Sequence, residues 1–251
     1  MGLQHNGLRS VMKGALRLLY PPQCLGCGDG VSEDGGLCPD CWRETRFITG
    51  TCCTRCGAPL PDDGTGIADL AICDECLRTP RPWRAGRAAM VYTGTGRGIV
   101  LALKHGDRAD LAPALAGWLS RAAAPLIRPG MIVAPVPIHW RRLLKRKYNQ
   151  AELLSAGLAR LRGLDHMPDL LTRPHYTEGQ DHKGVSDRFA NIAGSLTVPN
   201  RRARAVQGRA VLLVDDVMTS GATLTEAANA LIAAGSGPVS VVTLARAVKQ
   251  D

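Results

Sequence analysis

Val211-Leu212-Leu213-Val214-Asp215-Asp216-Val217-Met218-Thr219-Ser220-Gly221-Ala222-Thr223 is the most informative stretch in this chain of 251 residues. Its four leading apolar residues predict a buried strand, and the carboxyl end of that strand delivers two adjacent carboxylates, Asp215 and Asp216. A loop of small residues then opens a helix. Open α/β sheets bind their ligands at that edge. The backbone amides of Thr219 to Thr223, with Ala222 between, and the hydroxyls of Thr219, Ser220 and Thr223 suit a phosphate at the positive end of a helix. Gly221 permits its close approach. The carboxylates suit vicinal sugar hydroxyls or the shell of a magnesium ion. An acidic pair ahead of a helix also serves as a plain cap, but this hydroxyl-rich loop is far more than a cap requires.

Outward from this stretch, the chain from about residue 86 alternates apolar runs with helical patterns, the rhythm of a mostly parallel α/β sheet. Strands are predicted at Ala88 to Tyr92, Met131 to Val136, Ala210 to Val214 and Val239 to Leu244. Helices are predicted at Ile99 to His105, Leu111 to Ala123, Gln150 to Leu161 and Leu224 to Ala234. Gly94-x-Gly96-x-Gly98 lacks the spacing of a dinucleotide fingerprint and reads as a turn into a helix. The expected organisation is an amphipathic helix at 1–21, a cysteine module at 22–80 and the α/β domain at 86–251.

All nine cysteines fall before residue 77, as Cys24-x2-Cys27, Cys38-x2-Cys41, Cys52-Cys53-x2-Cys56 and Cys73-x2-Cys76. A Cys-x-x-Cys turn aims two thiolates at one ion, and two such turns complete a tetrahedral zinc site. The simplest assignment gives one zinc to Cys24, Cys27, Cys38 and Cys41 and a second to Cys53, Cys56, Cys73 and Cys76, with Cys52 spare. An interleaved arrangement, in which the first and third pairs share a metal, stays open on spacing alone. Disulfides, a redox pair and an iron–sulfur cluster compete with zinc. No secretion signal supports disulfides, and four pairs exceed what redox catalysis needs. A segment this rich in Gly, Pro and Asp builds little core of its own, so the metals are expected to be structural.

Charge is divided unevenly. The net charge is +9, yet the segment from Cys24 to Cys76 carries about −7 on its side chains and the remainder therefore about +16. Anionic partners are expected at the C-terminal domain. Leu8 to Tyr20 is broken by Lys13 and Arg17 and lacks a small-residue cleavage site, so it reads as an amphipathic helix running into Pro21-Pro22 and not as a signal peptide. No uninterrupted apolar run approaches the length of about 18 residues that a membrane helix needs, and a cytoplasmic location is expected. His139 to Lys147 sets Arg141, Arg142, Lys145, Arg146 and Lys147 around Trp140, Leu143 and Leu144, whose helical spacing predicts burial. The basic residues there divide between a solvated face, diphosphate contact and single-stranded DNA. Arg201, Arg202 and Arg204 read as a surface loop. Aromatic residues make up only 4% of the chain, which weakens any base-stacking platform. Ser220 has no partner base for a nucleophilic hydrolase.

The stretch from Val211 to Thr223 resembles the phosphoribosyl-diphosphate signature of type I phosphoribosyltransferases. Pro135-Val136-Pro137, Arg141-Arg142-Leu143, Tyr148-Asn149-Gln150-Ala151 and Lys104-His105-Gly106-Asp107 resemble the ComF family, competence-associated proteins that join a double zinc ribbon to such a domain. Gln180, Asp187-Arg188 and Asn191 keep that family's spacing around a mobile loop. The likeness runs from about Leu19 to Leu244. Lys147 stands where the family usually has glycine, Asp187 replaces the commoner glutamate, and the loop from His175 to Lys183 is unusually polar.

The resemblance implies a type I phosphoribosyltransferase-like parallel sheet domain behind an N-terminal double zinc ribbon. In such enzymes a nucleophile displaces diphosphate at the anomeric carbon of 5-phosphoribosyl-1-diphosphate. Asp215 and Asp216 would hold the ribose hydroxyls, Thr219 to Thr223 the 5-phosphate, and magnesium would neutralise the departing diphosphate. Arg141, Arg142, Arg173, Lys183 and Arg188 are the cations placed to meet the leaving group. Closure of residues 173 to 188 would exclude water. The alternative the family implies is a binding protein without turnover, assisting single-stranded DNA or DNA-uptake proteins; fold alone does not choose, and the intact Asp215-Asp216 pair and phosphate loop favour the enzyme.

Overall fold

Parallel pairing of short apolar segments builds the sheet. The computed structural model describes residues 21–61, 71–174, 189 and 192–248. Five strands, β1 (Ala85–Val91), β2 (Ile132–Pro135), β3 (Asp165–His166), β4 (Val211–Met218) and β5 (Val239–Arg246), stand in the order β1-β5-β4-β2-β3, and every pairing is parallel. Among the described residues the α-helices are, in chain order, α1 (Pro39–Glu44), α2 (Asp74–Arg78), α3 (Gly94–His105), α4 (Ala112–Ala123), α5 (Trp140–Arg146), α6 (Gln150–Arg162), α7 (Asn200–Val206) and α8 (Ala222–Ala233).

The pleat sends alternate side chains of each central strand into different cores. Leu212 and Val214 of β4 join Leu103, Leu115, Leu119 and Leu154 on one face. Val211 and Leu213 join Leu224, Ala227, Ala228 and Leu231 of α8 on the other. With both faces covered, β5 is buried at every position and β4 through its first four, without alternation, as parallel strands are.

The direction in which successive strands are added to the sheet reverses between β2 and β4. From β2 the chain passes through α6 to β3 on one side, and from β4 through α8 to β5 on the other. The crevice beyond the carboxyl ends of β2 and β4 is the topological switch point, where open sheets take their ligands.

Three expectations from sequence need correction. β4 does not end at Val214: its pairing with β5 continues through Asp215–Thr243, Val217–Ala245 and Met218–Arg246, so the two aspartates belong to the strand. Trp140, Leu143 and Leu144 are 56%, 40% and 73% exposed, because α5 is only 7 residues long and leaves that face uncovered. Arg201, Arg202 and Arg204 lie on α7, not in a loop, and the first two hold Asp169 at 3.0 and 2.7 Å. The glycines at 94, 96 and 98 form the opening turns of α3 itself. The expected N-terminal helix falls almost wholly outside the described residues. Among those residues, no helix is long and apolar enough to cross a membrane.

Candidate functional site

At the crevice the strand end and the loop behind it converge. The loop leaves β4 at Thr219 and turns at Gly221, whose φ of +78° lies in the left-handed region that favours glycine. α8 then opens, with Thr225 N donating to Gly221 O at 2.8 Å. Asp215, Thr219, Ser220, Gly221, Ala222 and Thr223 line one shallow depression. Thr219 is exposed and Ser220 buried, its Oγ accepting from Ala222 N at 3.4 Å.

The two carboxylates differ. Asp216 meets Lys104 from the last turn of α3, Nζ to Oδ2 at 3.1 Å. Asp215 accepts Asp216 N on its own Oδ1 at 2.8 Å. Although Asp215 keeps partial exposure as a residue, loss of hydration around its carboxyl, followed by the charge of Asp216, pushes its pKa up to about 7. A carboxyl whose ionisation is held back in this way ionises more fully when a cation arrives.

Across the switch point lies the cationic side. His139 caps α5, its Nδ1 accepting from Arg141 N at 3.2 Å, and its pKa is lowered first by burial and then by Arg141, Arg173 and Arg142. Burial and the neighbouring Arg142 lower Arg173 to about 10 while Asp215 pulls the other way, so Arg173 remains charged at neutral pH. Arg142, Arg173 and Asp215 thus share one electrostatic neighbourhood. Tyr148-Asn149-Gln150 stitches the edge together. Tyr148 Oη donates to Leu103 O at 2.7 Å and Gln150 Nε2 to Lys104 O at 3.3 Å, both on the end of α3. Asn149 caps α6 through Ala151 N at 3.1 Å and donates to Val136 O at 3.1 Å. Lys147 just before it has φ +67°, which explains why glycine suits that position.

The cysteines form two clusters, Cys24, Cys27, Cys38 and Cys41, and Cys53, Cys56, Cys73 and Cys76, with the sulfurs of each cluster within 4.8 Å of one another. A Zn–S bond of about 2.3 Å implies tetrahedral sulfur spacings of about 3.8 Å. The Cys27–Cys38 and Cys56–Cys73 sulfur separations of 3.7 and 3.6 Å match. The pairing is sequential, not interleaved, and Cys52 belongs to neither cluster. Each first knuckle repeats one pattern: Gly28 N donates to Cys24 O as Gly57 N does to Cys53 O, at 3.0 and 2.8 Å.

The structure therefore sets Asp215 and the loop from Thr219 to Thr223 around one depression, turns the Asp216 carboxylate to Lys104 of α3, and places α5, with Arg141 and Arg142, after β2. Arg188, Lys183, Gln180, Asp187 and Asn191 lie outside the described residues. Sequence reasoning missed Glu75, Arg81 and Arg246 behind the loop. Arg246 was visible as a charge closing the apolar run of β5, and Arg81 as a cation between two prolines.

A parallel α/β domain of phosphoribosyltransferase type carrying a double zinc ribbon is the class this fold defines. Residues 15–77 match the family of the double zinc ribbon domain, and residues 177–250 that of the phosphoribosyl transferase domain. The chain is 33% identical to the DNA utilization protein YhgH of Salmonella typhi, over 84% of this chain and 90% of that protein. It is 26% identical to Competence protein F of Haemophilus influenzae, over 90% and 97% of the two chains, and 27% identical to Competence protein ComFC of Bacillus subtilis, over 86% of each. The chain belongs to the ComF family.

Proposed function

We propose that the chain binds 5-phosphoribosyl-1-diphosphate with magnesium at the crevice between β2 and β4 and transfers the phosphoribosyl group to an acceptor. The observation that carries this is the junction of Asp215 and Asp216 with a hydroxyl-lined loop opening α8 at the switch point of the sheet. The loop amides and the hydroxyls of Thr219, Ser220 and Thr223 take the 5-phosphate. Asp215 and Asp216 take the ribose hydroxyls or the cation's water shell. The acceptor's nucleophile bonds to the anomeric carbon as the carbon–oxygen bond to diphosphate breaks, and the bonding electron pair leaves with the diphosphate. Magnesium, when bound, stabilises the charge on that leaving group. Arg142 and Arg173, and Arg188 by its place in the family pattern, add positive charge on the same side. Lys104 holds the Asp216 carboxylate in register.

Calorimetric titration with the sugar diphosphate and magnesium tests this. The wild-type protein should bind saturably, and Asp215→Asn with Asp216→Asn should abolish binding at unchanged zinc content and fold. Unaltered binding by the double variant would falsify the site.

A second reading is a non-catalytic accessory role in handling single-stranded DNA. It is favoured by the relatives' names and by one observation, the exposed Trp140 of α5 with the Arg141 guanidinium 5.4 Å from its ring centre. An exposed indole flanked by cations is a base-stacking surface.

A further inference from the structure

The two cysteine clusters share their chemistry and differ in what they touch. The first meets the opening of α3, where Thr95 Oγ1 donates to Glu44 Oε2 at 2.7 Å. The second lies in the core beneath α8, with Cys53, Cys56 and Cys76 packed among Trp83, Met218 and Leu224. Between its last two cysteines stands Glu75. One carboxylate oxygen accepts from Arg81 Nη2 at 2.8 Å and the other from Arg246 Nη2 at 2.5 Å. Both arginine side chains are essentially inaccessible, at 0% and 2%, whereas Glu75 is 46% exposed. Buried cations of this kind need a fixed counter-charge.

Each arginine turns its other nitrogen into the loop after β4. Arg246 Nη1 donates to Thr219 O at 2.7 Å and Arg81 Nη1 to Ser220 O at 2.7 Å. A carbonyl and the following N–H share one rigid peptide plane and point in opposite directions. Pinning the Thr219 carbonyl back toward Arg246 therefore aims the Ser220 amide away from it, and pinning the Ser220 carbonyl aims the Gly221 amide likewise. Gly221 leaves the room this needs, since a Cβ there would lie 2.8 Å from Arg81 Nη1.

We propose that Glu75 is a positioning residue for the phosphate loop: acting through Arg81 and Arg246, the second cysteine cluster presets the Ser220 and Gly221 amides for an anion, and the first cluster has no part in it. This rests on the reading of the loop as a sugar-phosphate site. No group of the network touches the ligand. Its contribution is the orientation of donors before the ligand arrives, the form in which preorganisation raises affinity.

The test uses the full-length zinc-loaded protein and its Glu75→Ala, Glu75→Gln and Asp74→Ala variants. Asp74 is the control, a neighbour on α2 whose contact is an exposed pair with Arg78 at 4.0 Å. Three quantities are read: zinc per chain, affinity for 5-phosphoribosyl-1-diphosphate with magnesium, and amide hydrogen exchange over residues 218–223 without ligand. Glu75→Ala should keep two zinc ions, weaken binding by about tenfold and speed exchange over the loop. Glu75→Gln, which keeps one acceptor oxygen, should recover part of the affinity, and Asp74→Ala should match wild type. Wild-type affinity and wild-type exchange in both Glu75 variants overturn the proposal while leaving the ligand site standing. If the wild-type protein itself binds nothing, the sugar-diphosphate reading falls, and the exchange measurement alone then decides whether Glu75 orders the loop.

Discussion

Asp215 carries an electrostatic cost that the proposed site would put to use. Its folded pKa of about 7 lies well above the value of about 3.9 of an unfolded aspartate. The native state thus binds the proton more tightly, so the stability this group contributes is full below about pH 4 and is lost as pH rises through about 7. Binding at the proposed site would run the other way, because sugar hydroxyls and a hydrated cation need the ionised form. We expect affinity for the sugar diphosphate to fall by up to about tenfold per unit as pH drops below about 7, with proton uptake or release visible in buffers of different ionisation heat. The slope attributable to the protein should vanish in Asp215→Asn; an identical slope in that variant would assign the dependence to the ligand's own phosphates. Lys147 shows a different local compromise. Its left-handed backbone is strained for a residue with a Cβ, and its ammonium pairs with Asp107, itself at φ +52°.

Among the elements, α5 stands out by its exposed face. A helix of 7 residues has too little buried surface to be held by packing, and it is anchored at its ends instead, by the His139 cap and by Lys147 N donating to Leu143 O at 2.7 Å. Its apolar residues Trp140, Leu143 and Leu144 face solvent. If that face stacks bases, Trp140→Ala should weaken single-stranded DNA binding by about 1–3 kcal/mol without altering sugar-diphosphate affinity. Filter binding or fluorescence anisotropy with an unlabelled-competitor control would read this, and unchanged DNA affinity would remove α5 from consideration. β4 makes the complementary point. Its last turns of pairing with β5 hold Asp215 and Asp216 on a rigid support, which is what a binding constellation requires.

Taken together, the ribbon and the sheet domain are joined through shared structure. Ile48 N donates to Ala89 O at 3.0 Å and Gly86 N to Thr54 O at 2.8 Å, so the module adds to the free edge at β1. Gly57 is packed so closely on that strand that a Cβ would lie 2.5 Å from Ala88 N. The second cysteine cluster is part of the core under α8, whereas the first has an exposed member, Cys27. Zinc should therefore leave in two phases on adding a strong chelator: one ion readily, with the sheet domain's circular dichroism intact, and the second only as that domain unfolds. Release of both ions at one rate with no loss of structure would show that the second cluster does not support the core.

Much of this was legible in the chain, for reasons of local physics. Cys-x-x-Cys spacing is imposed by the geometry of a knuckle around one ion, and an unbroken apolar run ending in Asp215-Asp216 followed by small hydroxylated residues is imposed by a buried parallel strand feeding a helix. Both patterns depend on neighbours a few residues away. What the linear order left open depended on which distant segments meet. Cluster pairing required the positions of Cys38 and Cys53 relative to the other knuckles. The exposure of Trp140 and Leu144 required knowing that nothing covers α5. The links from Glu75 to Arg246 and from Arg81 to Ser220 span 171 and 139 residues of sequence, and no periodicity or composition encodes a contact at that distance. Local pattern thus specified the elements and the chemistry each carries, while long-range packing chose the partners, because charge and burial at a point in space are set by every segment that passes through it.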